Sequence, residues 1–337
     1  MTDLASPLKR GDRLNRFILH TRLAVGGMAE IWSAVPGDGG EMVALKVILP
    51  MASDDREFQA MFADEARIAV RLRHEHIVRV HEGLRDRGYC FLIMELIDGL
   101  DLRRVFKKVL AQRTWIPVPI VLGIGLCVAR GLVYAHLRKG EDGRPLEIVH
   151  RDISPHNVML GDDGGVRLLD FGIAKAKERQ VQTRTGVIKG KIGYMSPEQA
   201  FGGRLSQRTD VFALGIVLWE LLAMTRLFRQ TKSPPDLDLI RTAPIPDIRT
   251  INGGVPDEAA ELINQMLNRR ERERPKSMRE VLARLNGATA RAYETTDYSQ
   301  ERRKNWLKTL RAKVPDRPPT LKKTSTTEED TLPTYRS

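Results

Sequence analysis

The chain has 337 residues, 42% hydrophobic and 29% charged, so it is long enough to bury a sizeable core and too apolar to be disordered throughout. Its 55 Lys and Arg against 43 Asp and Glu leave a formal charge of +12, which suits an anionic partner: nucleotide phosphate, nucleic acid or acidic protein. Two cysteines, Cys90 and Cys127, exclude a disulfide framework and a multi-thiolate zinc site, and fit a reducing, cytoplasmic setting.

Residues 1–16 read as an N-terminal extension with no apolar run of signal-peptide length. Residues 17–49 are short β-type runs between Gly-rich turns; Val43-Ala44-Leu45-Lys46-Val47-Ile48 is the clearest strand, and Pro50 closes it. Residues 53–73 switch to helical spacing, with Phe58, Phe62, Ala66, Ala69 and Leu72 along one face. Strand-like runs follow at 77–80 and 89–93. After Gly99 the pattern is mostly helical, with apolar-periodic segments at 119–136, 208–224, 257–268 and 276–285. Strands first and helices afterwards predict an α+β chain of two unlike lobes.

The most apolar stretch, 116–129, is ended by Arg130 short of the roughly 20 residues a bilayer requires, and 211–223 contains Glu220. Both predict buried helices, and no membrane span. Residues 286–337 are rich in Lys, Arg, Thr, Ser and Pro; Trp306, Leu307, Leu310 and Val314 recur there at helical spacing. They predict one amphipathic helix at about 299–313, docked on the domain and followed by a solvated basic tail.

Three stretches carry chemistry. Leu23-Ala24-Val25-Gly26-Gly27-Met28-Ala29-Glu30-Ile31 is a small-residue turn whose backbone N–H groups can lie close over phosphate oxygens, although alone it reads as an ordinary hairpin turn. Lys46 interrupts an apolar strand; facing inward it needs a partner, and Glu65 on the following helix is a candidate. The third stretch is the most specific. His150-Arg151-Asp152-Ile153-Ser154-Pro155-His156-Asn157 is followed by Asp170-Phe171-Gly172, with an apolar hairpin between them. A carboxylate, an amide and a second carboxylate on adjoining loops form a hard-oxygen set suited to magnesium and phosphate rather than zinc. A carboxylate five residues before the amide can hold a hydroxyl in line with a transferring phosphoryl group. His74, His76 and His81 superficially suggest a metal cluster but read as structural, and both cysteines as packing.

In this order the motifs resemble the protein kinases, specifically the bacterial eukaryotic-like Ser/Thr kinases, over residues 17–285. The resemblance extends to Tyr194-Met195-Ser196-Pro197-Glu198, to Asp210-Val211-Phe212-Ala213-Leu214-Gly215 and to Arg274-Pro275. It implies an N-lobe at about 17–97, a C-lobe at about 98–285, and ATP- and magnesium-dependent phosphorylation of protein Ser/Thr hydroxyls in bacterial signalling. Residues 23–31 would cover the ATP phosphates. Lys46 would hold the α- and β-phosphates and pair with Glu65. Asp170 and Asn157 would bind magnesium, and Asp152 would orient the substrate hydroxyl and accept its proton. Ile31, Ala44 and Met159 would sandwich the adenine, with backbone near Glu95 and Ile97 reading its edge. Thr183 and Thr185 are phosphosite candidates that would pair with Arg151, in keeping with self-association for trans-autophosphorylation; Thr320 and Thr324 to Thr327 in the tail are further acceptors.

Four positions depart from the family pattern. Ala24 and Ala29 stand where loop glycines are usual, which stiffens the loop. Ser154 stands in place of a catalytic-loop lysine, and Lys191 in place of a threonine on the facing loop. The two side chains look exchanged, so that Lys191 would reach the transferring phosphate and Ser154 would hydrogen-bond Asp152. A non-catalytic kinase-fold scaffold is the competing reading, but Lys46, Asp152, Asn157 and Asp170 are all present. Protein substrates are therefore the expected partners, and nucleic acid is not.

Overall fold

A computed structural model describes residues 8–26, 29–48, 56–171, 192–228 and 236–312, with backbone alone at 56–61, 64 and 65. The N-terminal part is a six-stranded antiparallel sheet. Its strands are β1 (Arg13–Leu14), β2 (Phe17–Val25), β3 (Ala29–Pro36), β4 (Val43–Ile48), β5 (Val80–Asp86) and β6 (Tyr89–Glu95), ordered β1-β2-β3-β4-β6-β5. Helix α1 (Arg56–Arg71) lies between β4 and β5 in the chain.

Alternation along β4 divides its side chains between two apolar clusters. Leu45 and Val47 join Phe17, Leu19, Trp32 and Phe91 on one face, capped by Leu8 and Leu14. Ala44 and Ile48 join Val80, Leu92 and Met94 on the other, together with Phe62 and Ala66 of α1. Lys46 lies two residues from each of Ala44 and Ile48, so the strand period places it on the α1 face, at the mouth of the cleft.

The C-terminal part is helical around a small sheet, β7 (Gly99–Asp101), β8 (Val158–Gly161) and β9 (Val166–Leu168), in that order. Its helices are α2 (Leu102–Ala111), α3 (Val118–His136), α4 (Pro197–Ala200), α5 (Gln207–Ala223), α6 (Asp238–Thr242), α7 (Asp257–Met266), α8 (Met278–Ala292) and α9 (Gln300–Ala312). Helix α5 starts at a capping box of Ser206 and Thr209, and every residue from Thr209 to Ala223 is buried, which makes it the central strut. Helix α3 is the one helix among the described residues long and apolar enough to cross a bilayer, and its side chains are instead core of this lobe.

Local structure departs from the sequence pattern in two places. Residues 77–80 are not a strand: Ile77 makes a single parallel bridge to Leu168, and β5 begins at Val80. Only alternate β5 positions turn inward, so its polar half hides the strand signal. The boundary drawn at Leu285 falls inside α8, where Leu285 is fully buried and the helix runs on to Ala292. Helix α9 buries Leu307 and Leu310 in the main core of the helical lobe, each contributing about 1.5–3 kcal/mol. Val314 and the tail threonines lie outside the described residues.

Candidate active site

Lys46 and Asp170, 124 residues apart, meet across the cleft: Lys46 Nζ donates to Asp170 Oδ1 at 2.9 Å. Both side chains are partly exposed, at 18% and 28%, as groups that meet a soluble ligand must be. Asp170 has φ +48°, an uncommon conformation for a residue with a side chain. Glu65 belongs to α1, but its side chain lies outside the described residues.

The loop from His150 to Asn157 is held from below. Asn157 Nδ2 donates to the Asp152 carbonyl at 2.8 Å and to Asp152 Oδ2 at 2.6 Å, which fixes the carboxylate's direction. His150 Nε2 donates to Leu169 O at 2.8 Å and its Nδ1 accepts from Asp152 N at 3.3 Å, while its ring packs on Phe171 at 4.6 Å. Arg151 has φ +66°, a conformation costing on the order of 1–3 kcal/mol unless its surroundings hold it. They do so at both ends. Arg151 N donates to Asp210 Oδ1 at 2.9 Å, and Arg151 O accepts from Gln199 Nε2 at 2.7 Å.

Asp210 also accepts from His150 N and His136 Nε2, each at 2.8 Å. Burial alone would raise its carboxyl, but the His136 hydrogen bond and charge, with the charge and backbone N–H of His150, hold it below the usual carboxylate range. Sequence reasoning assigned no site role to Asp210, His136 or Gln199. The available signal was an aspartate and a glutamate on an otherwise apolar helix.

Farther along, Glu198 takes a bidentate ion pair from Arg274, 2.8 Å on each side, and Arg274 is fully buried over Phe212. Burial raises the Glu198 carboxyl, and the Arg274 hydrogen bonds and charge more than reverse that. Glu220 of α5 differs. It accepts from Tyr194 Oη at 2.5 Å, and Arg226 Nη1 lies 3.3 Å away, yet burial dominates and pushes its carboxyl well up.

Around the nucleotide side, Gly26 N donates to Ala29 O at 2.8 Å, while Ala24 and Val25 pair with Ile31 and Glu30 across β2 and β3. The buried Glu30 carboxylate accepts from Trp32 Nε1 and Arg22 Nη1, so its side chain braces the sheet instead of facing a phosphate. Leu23 and Val25 are exposed. Ile31, Ala44 and Ile97 share one apolar cluster with Met94, and Met159 is half-buried on β8. Glu95 N is engaged by Arg79 O at 2.9 Å. Ser154 is 1% exposed and its Oγ has no hydrogen-bond partner among the described residues, so the expected bond to Asp152 does not form. Gly27, Met28, Gly172, Thr183, Thr185 and Lys191 lie outside the described residues.

The histidines near 76 are structural: His74 packs on Tyr134, and His76 Nδ1 sits 3.1 Å from Val166 O. Burial lowers both imidazoles and raises both cysteine thiols, so neither Cys90 nor Cys127 is an activated nucleophile.

This two-lobed arrangement has known counterparts. The protein kinase domain family matches residues 17–284, and the chain belongs to it, in its bacterial eukaryotic-like branch. Relatives include Tyrosine-protein kinase MasK of Myxococcus xanthus, 41% identical over 72% of this chain and 38% of that protein. Serine/threonine-protein kinase PknL of Mycobacterium tuberculosis is 33% identical over 76% of this chain and 61% of that protein. The chain thus spans 38% to 61% of the length of these relatives. Among solved structures, the M. tuberculosis PknI kinase domain superposes with a TM-score of 0.64 at 26% identity, covering 84% of this chain and 99% of that one.

Proposed function

We propose that the chain transfers the γ-phosphoryl group of ATP to Ser and Thr hydroxyls of proteins, in the cytoplasm. The observation that carries this reading is the Asn157 amide, which binds both the carbonyl and the carboxylate of Asp152. Those two bonds use the amide nitrogen, so the Asn157 oxygen is not spent on them. The Asn157 amide oxygen and the Asp170 carboxylate are hard donors, the set that magnesium prefers, and they are the residues that would hold it. When bound, the ion neutralises phosphate charge and orients the γ-phosphoryl group.

The protein's own contribution is positioning. Lys46 places a positive charge beside Asp170, where the α- and β-phosphates would lie, and Glu65 of α1 would be its further partner. Asp152, aimed by Asn157, orients the acceptor hydroxyl and takes its proton as the hydroxyl oxygen bonds to the γ-phosphorus and the bond from that phosphorus to the departing ADP oxygen breaks. Ile31, Ala44 and Met159 enclose the adenine. Because Glu95 N is engaged, Ile97 supplies the N–H that reads the base edge, and Glu95 contributes its carbonyl. The turn at 23–31 would cover the phosphates, with the Gly26 N–H already engaged by Ala29 O.

Arg151 Nε is buried without a hydrogen-bond partner among the described residues, which supports a role in pairing with a phosphate on Thr185 or Thr183, added by a second copy of the chain. Lys191 would supply the charge that Ser154 lacks. A second reading, tyrosine as acceptor, is favoured by the M. xanthus relative, a tyrosine-protein kinase by name, and by Ser154 itself. Incubation with labelled ATP and magnesium, then mapping of the phosphorylated residues, tests both. Labelled serine or threonine supports the first reading, labelled tyrosine the second, and no label on folded protein defeats both.

A further inference from the structure

Helix α9 lies beyond the residues that match the kinase family, yet it is seated on the turn that joins β8 to β9. Arg303, 4% exposed, donates from Nε to Gly164 O at 2.9 Å and from Nη1 to Tyr298 O at 2.7 Å. Gln300 Nε2 donates to Asp163 O at 3.1 Å, and Arg311 Nη1 to Asp162 Oδ2 at 2.7 Å. Three consecutive turn residues are therefore held by one helix.

Two glycines shape the seat. Gly164 has φ +79°, and a Cβ there would lie 2.1 Å from Gln300 O. Gly123, inside α3 where glycine costs about 1 kcal/mol relative to alanine, approaches the segment before α9 so closely that a Cβ would lie 2.7 Å from Tyr298 O. The lobe is cut to fit this helix.

The turn belongs to a hairpin with the candidate metal residues at its other end. Val158 pairs with Leu168, Met159 with Arg167 and Leu160 with Val166, and Leu169 N closes on Asn157 O at 2.8 Å. Asn157 immediately precedes β8, and Asp170 lies two residues after β9. From Gly164 to Asp170 is about 20 Å of extended chain, short enough for a paired hairpin to move as one piece. The turn after Gly161 closes through Gly164 N to Gly161 O and Gly161 N to Gly165 O, each at 2.8 Å, and the three glycines leave it without side chains of its own to pack at those positions, so its outer contacts come from α9.

We infer that α9 is a clamp on the β8–β9 turn and that Arg303 is a positioning residue, holding Asn157 and Asp170 at the spacing a nucleotide-bound magnesium requires. The inference rests on the kinase reading above and extends the working domain to Ala312. It is tested in the full chain with Arg303→Met, which keeps the aliphatic stem and removes the donors, with Arg303→Lys, and with Gln300→Ala on an exposed side chain. Two quantities are read: hydrogen exchange of the amides at 158–168, and binding of a fluorescent ATP analogue during a magnesium titration and in chelator.

Arg303→Met is expected to speed hairpin exchange while leaving α5 exchange unchanged. It should raise the magnesium needed for half-maximal binding by about tenfold, with metal-free affinity unaltered. Arg303→Lys should fall between the two, and Gln300→Ala should move both quantities in the same direction by less. If Arg303→Met does not fold, Gln300→Ala alone decides, and unchanged values there overturn the clamp. Analogue binding by the unaltered chain with unmoved variants overturns the inference alone. No magnesium-dependent binding by the unaltered chain overturns the kinase reading with it.

Discussion

Replacing Asp210 by asparagine changes one atom and should disable the site from beneath. One carboxylate oxygen accepts from Arg151 N, and the other from both His150 N and His136 Nε2. An amide in the same place has one accepting oxygen, so its NH2 must face at least one of these donors. The loss is one or two charge-assisted hydrogen bonds plus a buried donor left unsatisfied, about 3–5 kcal/mol in a site with no exposure. For a chain of this size that lowers the melting temperature by on the order of 10 °C. Arg151, freed from its φ of +66°, would let Asp152 turn, lowering phosphoryl transfer by at least about tenfold. The pH dependence has a definite sign. Because the folded-state carboxyl is depressed, its contribution is present above the unfolded carboxylate value and fades as the pH falls through the folded one. The gap between wild type and Asp210→Asn should therefore narrow below about pH 4. Thermal melts across pH, with transfer from labelled ATP measured in parallel, check this. A variant that melts within about 2 °C of wild type and transfers phosphate at the same rate would refute the argument.

Lys46→Met should weaken nucleotide binding with little change in melting temperature, because the side chain borders the cleft and leaves no core cavity; equilibrium binding and a melt decide it. Arg274→Met should destabilise by about 3–5 kcal/mol by leaving the mostly buried Glu198 carboxylate unpaired, and adding Glu198→Gln should recover part of that in denaturant titrations. Ser154→Ala removes a buried hydroxyl without a described partner, so it should melt at or above the wild-type temperature; a clear drop would mean that the hydroxyl has a partner.

The parts legible in the sequence were those whose chemistry is local. Asp152 and Asn157 lie five residues apart on one loop, and the Asn157 amide does reach the Asp152 carboxylate. Lys46 was legible as a cation breaking an apolar strand, and the strand period sets its face. The supporting groups were not legible, since Asp210 meets His136, His150 and Arg151 across gaps of dozens of residues that no local pattern encodes. Arg303 illustrates the same limit. It stands beside Arg302 and Lys304 in a basic run that reads as a solvated face, and only the docking of α9 separates the buried arginine from its exposed neighbours. The β5 strand was missed because half of its side chains face solvent.

The central claim is that Asp152, held by Asn157, serves phosphoryl transfer from ATP. Its most direct measurement compares wild type with Asp152→Asn at saturating labelled ATP and magnesium, following nucleotide binding and label transfer in the same samples. The account predicts equal nucleotide binding, comparable melting temperatures, and transfer to serine and threonine by the wild type alone. Equal transfer by both proteins, or none by a folded wild type that binds ATP and magnesium, would contradict it.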